Sequence, residues 1–137
     1  VFYCIKHFIK HHNKNKNLQK IITIGSIYGS KSPDHSIYSN EKFFTSLGYS
    51  ASKFGLNGIN TWVASKFGSS KIISNIVSPG GVYNKHTQNF VNKYNKNVAL
   101  GRMCSKEDVF NAVNYLLSDK SNYINGQNIR VDGGYRI

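Results

Sequence analysis

The sequence predicts an α/β chain built on a parallel β-sheet, with helices wound over its two faces. Three observations carry that expectation. Short β-branched runs are nearly continuous in apolar residues, the stretches between them place apolar residues at three- and four-residue spacing, and the two patterns alternate along the chain. Continuous apolar strands suit burial on both faces, the environment that helical crossovers create.

Val1 to Ile9 sets Val1, Phe2, Cys4, Ile5, Phe8 and Ile9 at helical spacing, so the chain is expected to start inside a helix that ends near His11 and His12. The run Asn13-Lys14-Asn15-Lys16-Asn17 has no apolar periodicity and reads as a connection. Lys20-Ile21-Ile22-Thr23-Ile24 reads as a buried strand ending at Gly25-Ser26. Tyr28 to Gly48, with Gly29, Ser30, Ser32, Pro33, Asp34 and Ser39, predicts a long polar loop. Tyr49 to Phe67 carries Ala51, Phe54, Leu56, Ile59, Trp62 and Val63 without a proline, which predicts a helix of about five turns that Gly68 stops. Lys71 to Ser78 is a second buried strand, broken by Pro79-Gly80-Gly81, and a short helix is expected around Phe90. Ser105 with Asp108 three residues on resembles a capping box opening a helix through Val109, Phe110, Val113, Leu116 and Leu117. Asn128 to Val131 is the last strand, leading into Asp132-Gly133-Gly134. No repeat or linker divides residues 1–137, which are expected to form one domain or part of one.

With 39% hydrophobic and 13% aromatic residues the chain can bury a core. A net charge of +12 invites a nucleic-acid reading, but the lysines are spread along the chain and the arginines are only Arg102, Arg130 and Arg136. Abundant Asn interleaved with Lys points to a solvated surface, so no nucleic-acid partner is expected. No segment approaches the roughly 18 to 20 apolar residues of a membrane span. Lys6, His7 and Lys10 interrupt the only stretch resembling a leader, so no membrane association is expected. Cys4 and Cys104 form no metal-type or redox pair; both read as reduced packing residues of a cytoplasmic protein without a metal site.

The chemistry concentrates in Tyr49-Ser50-Ala51-Ser52-Lys53. Four residues apart on a helix, the phenol and the ammonium share one face. An ammonium favours the phenolate beside it, which turns tyrosine into a usable acid/base for a carbinol or carbonyl oxygen. Ser26, at the carboxyl end of the preceding strand, supplies a second hydroxyl where parallel sheets place ligands. The spacing alone is weak, since Tyr38-Ser39-Asn40-Glu41-Lys42 repeats it and an exposed helix pair is the ordinary meaning of either copy.

Five segments follow in order: Ile21 to Gly29, Tyr49 to Leu56, Asn75-Ile76-Val77-Ser78-Pro79-Gly80-Gly81-Val82, Gly101-Arg102-Met103, and Gly126 to Gly134. Together they resemble the successive signatures of the classical short-chain dehydrogenases/reductases, over nearly the whole chain. The resemblance implies the carboxy-terminal half of a Rossmann-like doubly wound sheet, and NAD or NADP as cofactor. It implies Ser26 orienting the substrate oxygen, Tyr49 as acid/base, and Lys53 binding the nicotinamide ribose. It further implies a cofactor-side segment of Pro79, Gly80, Val82 and, in place of a common threonine, Asn84. A small carbonyl or alcohol substrate and a homo-oligomer assembled through the Tyr49-to-Phe67 helix and its predecessor are implied as well.

Ser26 and Tyr49 stand 23 residues apart, whereas the family usually separates them by about a dozen, and Tyr38 fits that interval better. Tyr49 is preferred because it alone leads into an Ala- and Gly-containing helix 30 residues before Pro79. Residues 27–48 then carry an insertion of roughly ten residues, which loops tolerate at little thermodynamic cost. Similar loops in relatives from bacterial surface-sugar loci hint at a sugar-derived substrate. The chain has no glycine-rich strand-to-helix turn of the dinucleotide-binding kind. In the family that turn lies upstream, so the fragment alone is expected to be poorly stable and inactive. The competing expectation is a catalytically inactive truncated relative that serves as a binding or scaffold protein.

Overall fold

The computed structural model describes residues 1–12, 17–39 and 41–137. Its principal elements are α1 (Phe2–His11), β1 (Gln19–Ile24), α2 (Leu47–Phe67), β2 (Ile72–Pro79), α3 (Gln88–Asn95), α4 (Lys106–Leu117) and β3 (Asn128–Val131). The strands form one parallel sheet in the order β1-β2-β3, with Ile22 opposite Asn75 and Val77 opposite Ile129. β2 lies in the centre and is buried from Ile72 to Ser78, as its near-continuous apolar run requires.

Side chains alternate across β2 and so report what covers each face. Ile72 packs with Ile5 of α1 and Val63 of α2, and the Ser74 hydroxyl donates to Asn60 Oδ1 of α2 at 2.8 Å. Asn75, turned the other way, donates to the Ile124 carbonyl beyond α4 at 2.7 Å. Lys20 of β1 reaches the Ser118 carbonyl and the Ser121 hydroxyl at the end of α4. The sheet is therefore wound on both sides, with α1 and α2 over one face and α4 over the other. Ser105 and Asp108 close the capping box that the sequence predicts: Asp108 N–H donates to Ser105 Oγ at 3.1 Å, and Ser105 N–H donates to Asp108 Oδ2 at 2.8 Å.

Several boundaries differ from the sequence reading. Gly68 is right-handed (φ −57°, ψ −44°) and continues into a 3₁₀ turn, Gly68–Ser70. The left-handed residue that turns the chain into β2 is Lys71, at φ 62°. β2 ends at Pro79, one residue later than expected, opposite Val131. The largest difference lies between β1 and α2. Instead of a plain polar loop there are 3₁₀ turns at Ile27–Gly29 and His35–Tyr38, and α2 begins at Leu47 behind an Ser46 N-cap. Ile27, Tyr28 and Ile37 are buried there with Phe90, Tyr94 and Tyr135 in a core cluster of their own. The Asn/Lys stretch 13–16, expected to be a connection, lies outside the described residues, as does Asn40.

A groove of about 570 Å³ runs between α1 and α2, lined by Phe2, Ile5, Ile9, Ile59, Trp62 and Phe67, with Trp62 61% exposed. Among the described residues no helix is long and apolar enough to cross a membrane.

Candidate active site

The carboxyl ends of β1 and β2 open into a cleft of about 590 Å³ that also takes in the first turns of α2. Ser26 leaves β1 with an extended backbone, and its Oγ accepts the Tyr28 N–H at 3.1 Å. Its hydroxyl proton has no acceptor among the described residues, so a buried donor stands ready at the strand end. Tyr49 sits in the first turn of α2, where its N–H donates to the Ser46 cap at 3.2 Å. It is 43% exposed, and its phenol oxygen is unengaged among the described residues. The Lys53 ammonium lies 5.5 Å from the centroid of the Tyr49 ring and donates to the carbonyls of Gly25 (3.2 Å) and Ile24 (3.4 Å). The four-residue spacing thus puts phenol and ammonium on one face, beside the end of β1.

That placement depends on a close approach of backbone to backbone. A Cβ on Gly29 would fall 2.7 Å from the Lys53 carbonyl oxygen, so only a residue without a side chain lets the turn after Ser26 touch α2. Asn57 fixes the contact by donating to the Gly29 carbonyl at 2.7 Å while accepting from Asn128 Nδ2 of β3 at 2.7 Å.

On the β2 side, Pro79, Gly80 and Val82 line the cleft. Val82 forms an isolated parallel bridge with Cys104: the Gly81 carbonyl accepts from Cys104 N–H and Tyr83 N–H donates to the Cys104 carbonyl, each at 3.0 Å. Alternation along an extended segment turns the Val82 N–H and C=O the opposite way, and neither has a partner among the described residues. Asn84 stands apart. It is exposed outside the cleft lining, and its N–H donates to His86 Nδ1 at 3.2 Å, because the chain turns at Lys85 (φ 51°) before reaching α3.

The second tyrosine-lysine spacing does not form a helical pair. Tyr38 ends a 3₁₀ turn, and its hydroxyl is taken by the Tyr28 hydroxyl (3.2 Å) and Thr45 Oγ1 (2.8 Å), while Lys42 is exposed beyond it. Burial holds the Tyr28 phenol well above the ordinary tyrosine range, and its contacts with Tyr38 add to the effect. Tyr94 is likewise held high, chiefly by burial, although it accepts the Gly81 N–H. Both phenols line the cleft as neutral groups, which leaves Tyr49 as the lining tyrosine that is exposed, unengaged and next to a cation.

The aromatic residues of the far wall read as core or substrate-loop residues in the sequence, but their pairing across two segments was not legible there. Phe43 and Tyr38 pack on Phe90 of α3 at ring-centroid distances of 5.2 and 5.6 Å, and His86 stacks on Phe90 at 5.0 Å. Glu41 ties the two sides together by accepting from Thr87, the N-cap of α3 (2.8 and 3.0 Å), and from Asn89 (3.2 Å). Lys93 of α3 donates back to Ser39 Oγ at 2.8 Å. Only the density of aromatic residues on both segments could have signalled this pairing.

A sequence family described as Enoyl-(Acyl carrier protein) reductase matches residues 1–136. The structure overlays a short-chain dehydrogenase from Leptospira borgpetersenii, solved with bound NAD+, at a TM-score of 0.83 and 29% identity, covering 99% of this chain and 50% of that one. The chain belongs to the short-chain dehydrogenase/reductase family. Among curated short-chain dehydrogenase/reductase relatives, it is 32% identical over 124 residues to the post-translational flagellin modification protein A of Campylobacter coli, covering 90% of this chain and 48% of that protein. It is 37% identical to a 3-oxoacyl-acyl-carrier-protein reductase of Buchnera aphidicola, covering 98% of this chain and 52% of that protein. The chain spans about half the length of these curated relatives.

Proposed function

We propose that residues 1–137 are the carboxy-terminal, catalytic-side part of an NAD(P)-dependent oxidoreductase that interconverts a carbonyl and an alcohol. The observation that carries this reading is the exposed Tyr49 phenol beside the Lys53 ammonium, lining one cleft with Ser26, whose hydroxyl proton has no acceptor among the described residues. The residues present suit the nicotinamide end of the cofactor. Lys53 meets only carbonyls and keeps donor capacity for ribose hydroxyls, and the Val82 N–H and C=O are a complementary pair for a carboxamide. Pro79 and Gly80 would line the same side. When bound, the nicotinamide accepts or supplies the hydride.

The chain's own residues handle the oxygen. Ser26 donates to it and holds it at the end of β1, and Tyr49 gives or takes its proton as carbonyl and carbinol interconvert. Lys53 offsets the negative charge left on the phenolate. Buried Tyr28 keeps Ser26 oriented through its N–H. The Asn84 side chain belongs to this scheme only if the turn at Lys85 swings it toward the cofactor phosphates. A glycine-rich phosphate-binding turn would come from residues outside this chain.

A homo-oligomer is part of the proposal, supported by the apolar α1–α2 groove with its exposed Trp62. A cytoplasmic location accords with two free cysteines, Cys4 and Cys104. A sugar-derived substrate is a second reading, motivated by the long segment between β1 and α2. The non-catalytic alternative is a scaffold that retains the fold without turnover.

The test is a fluorescence titration of NADH and NADPH, run on this chain and on the full gene product, followed by carbonyl reduction. The full product should bind a cofactor, and Tyr49→Phe should keep binding while losing about 10²–10⁴-fold in turnover. A full product that binds neither nucleotide leaves the scaffold reading in place and ends the oxidoreductase one.

A further inference from the structure

We propose that the far wall of the cleft, built by Tyr38, Phe43 and Thr45 against Phe90 of α3, selects a neutral ketone or secondary alcohol with a flat apolar body. The inference rests on the oxidoreductase reading above for where the carbonyl sits, at Ser26 and Tyr49. Beyond that point the lining changes character. Phe43, Phe44, Phe90 and Met103 present rings and a thioether, and Phe43 and Phe44 are exposed enough to meet a ligand directly.

The phenol and threonine oxygens on this side are already engaged, and His86, stacked on Phe90 with its Nδ1 accepting the Asn84 N–H, keeps only Nε2 for a ligand. The Tyr28 and Tyr38 hydroxyls share a hydrogen bond, Thr45 donates to Tyr38, and the Tyr94 oxygen accepts the Gly81 N–H. A polyhydroxylated body entering here would give up water for fewer partners than it has hydroxyls, which is costly for each one stranded. A carboxylate or phosphate fares worse. Among the described residues Lys53 is the one lysine or arginine in the lining, and it stands at the reacting end, while His86 is stacked against Phe90. The net charge of +12 draws anions toward the protein as a whole, but a diffuse field does not replace a partner inside a desolvated cleft.

The wall is held rigidly enough to discriminate. Glu41 clasps Thr87 and Asn89 at the head of α3, and Phe43 and Tyr38 pack on Phe90 behind the clasp. A planar group can pack against the Phe43 ring in the offset or edge-on arrangements that aromatic pairs favour.

The test measures binding by calorimetry on the full gene product saturated with NADH or NADPH, using acetophenone, 4-acetylbenzoate and dihydroxyacetone as probes. Acetophenone should bind about tenfold or more tightly than either of the others. Phe43→Ala should weaken acetophenone about five- to tenfold while moving the other two little, and Phe43→Leu should fall between. Equal or tighter binding of the benzoate or the triose ketone overturns the proposal, as does a Phe43→Ala effect that is the same for all three. Reduction of the bound ketone is read separately. Selective binding without turnover in the wild type keeps this proposal and removes the oxidoreductase reading.

Discussion

Replacing Gly29 with alanine tests whether the reacting end of the cleft is set by the contact between the turn after Ser26 and α2. The added methyl would lie 2.7 Å from the Lys53 carbonyl oxygen and 3.1 Å from its carbon, both part of helix backbone that cannot rotate away. Ordinary contact begins near 3.4 Å, so α2 must recede by more than half an ångström or the turn must deform. Overpacking of this kind costs about 1–3 kcal/mol. For a chain of this size that lowers Tm by roughly 3–10 °C. The displaced backbone is that of Lys53, whose bond to the Gly25 carbonyl is already 3.2 Å long, so nucleotide affinity of the full gene product should fall together with stability. Differential scanning calorimetry and NADH titration on the same preparation read both. Gly55→Ala is the control: nothing lies within 4 Å of its added methyl, and alanine in a helix interior should stabilise by about 0.5–1 kcal/mol. A Gly29→Ala protein with unchanged Tm and unchanged affinity would refute the idea that this approach positions Lys53.

Removing the clasp with Glu41→Ala should cost only about 0.5–1 kcal/mol, the scale of a carboxylate at a helix N-terminus. Amide exchange at Gln88 to Val91 should accelerate while β2 stays protected, and unchanged exchange in α3 would count against the clasp. Asn75→Ala strands the Gln127 N–H and the Ile124 carbonyl in the interior and should destabilise by roughly 2–4 kcal/mol, read by urea unfolding. The Arg102 guanidinium, bonded to Asp108 at 2.6 and 3.0 Å, holds that carboxyl below the usual carboxylate range, with the Ser105 N–H adding to the effect. Its folded value is depressed, so its stabilisation of α4 is complete above about pH 4 and is lost as pH falls further. Asp108→Asn should flatten the stability profile below pH 4 without altering its shape near neutrality; a profile identical to wild type would remove Asp108 from the account.

The sheet, α2 and α4 were legible because their burial is periodic and local: β2 reads as a continuous apolar run, and the capping box is written in Ser105 and Asp108. The tyrosine–lysine pair of α2 was legible for the same reason, since a four-residue spacing on a helix is itself geometry. What escaped is assembled from distant residues. Tyr28, Ile37 and Phe43 meet Phe90 and Tyr94 across tens of positions, and nothing in the intervening polar residues announces that the segment folds inward. Asn84 lies outside the cleft lining, and Gly68 caps α2 where the sequence ends it, but the left-handed residues that turn the chain nearby are Lys85 and Lys71. Backbone conformations borne by lysines leave no trace in composition.

Parallel strands have no tight hairpin to count residues between them, so their alignment must be set some other way. Asn75 does this from inside the sheet. Its amide nitrogen donates to the Ile124 carbonyl and its amide oxygen accepts the Gln127 N–H, just as a peptide unit of a neighbouring strand would. The side chain thus acts as a short length of extra backbone, gripping the approach to β3 before the ladder opposite Asn128 begins. A slip of one residue would leave both halves of that amide buried with the wrong partners. β3 is four residues long, and Asn75 fixes its alignment together with the Gly126–Ser74 and Ile76–Gln127 backbone bonds on the same approach.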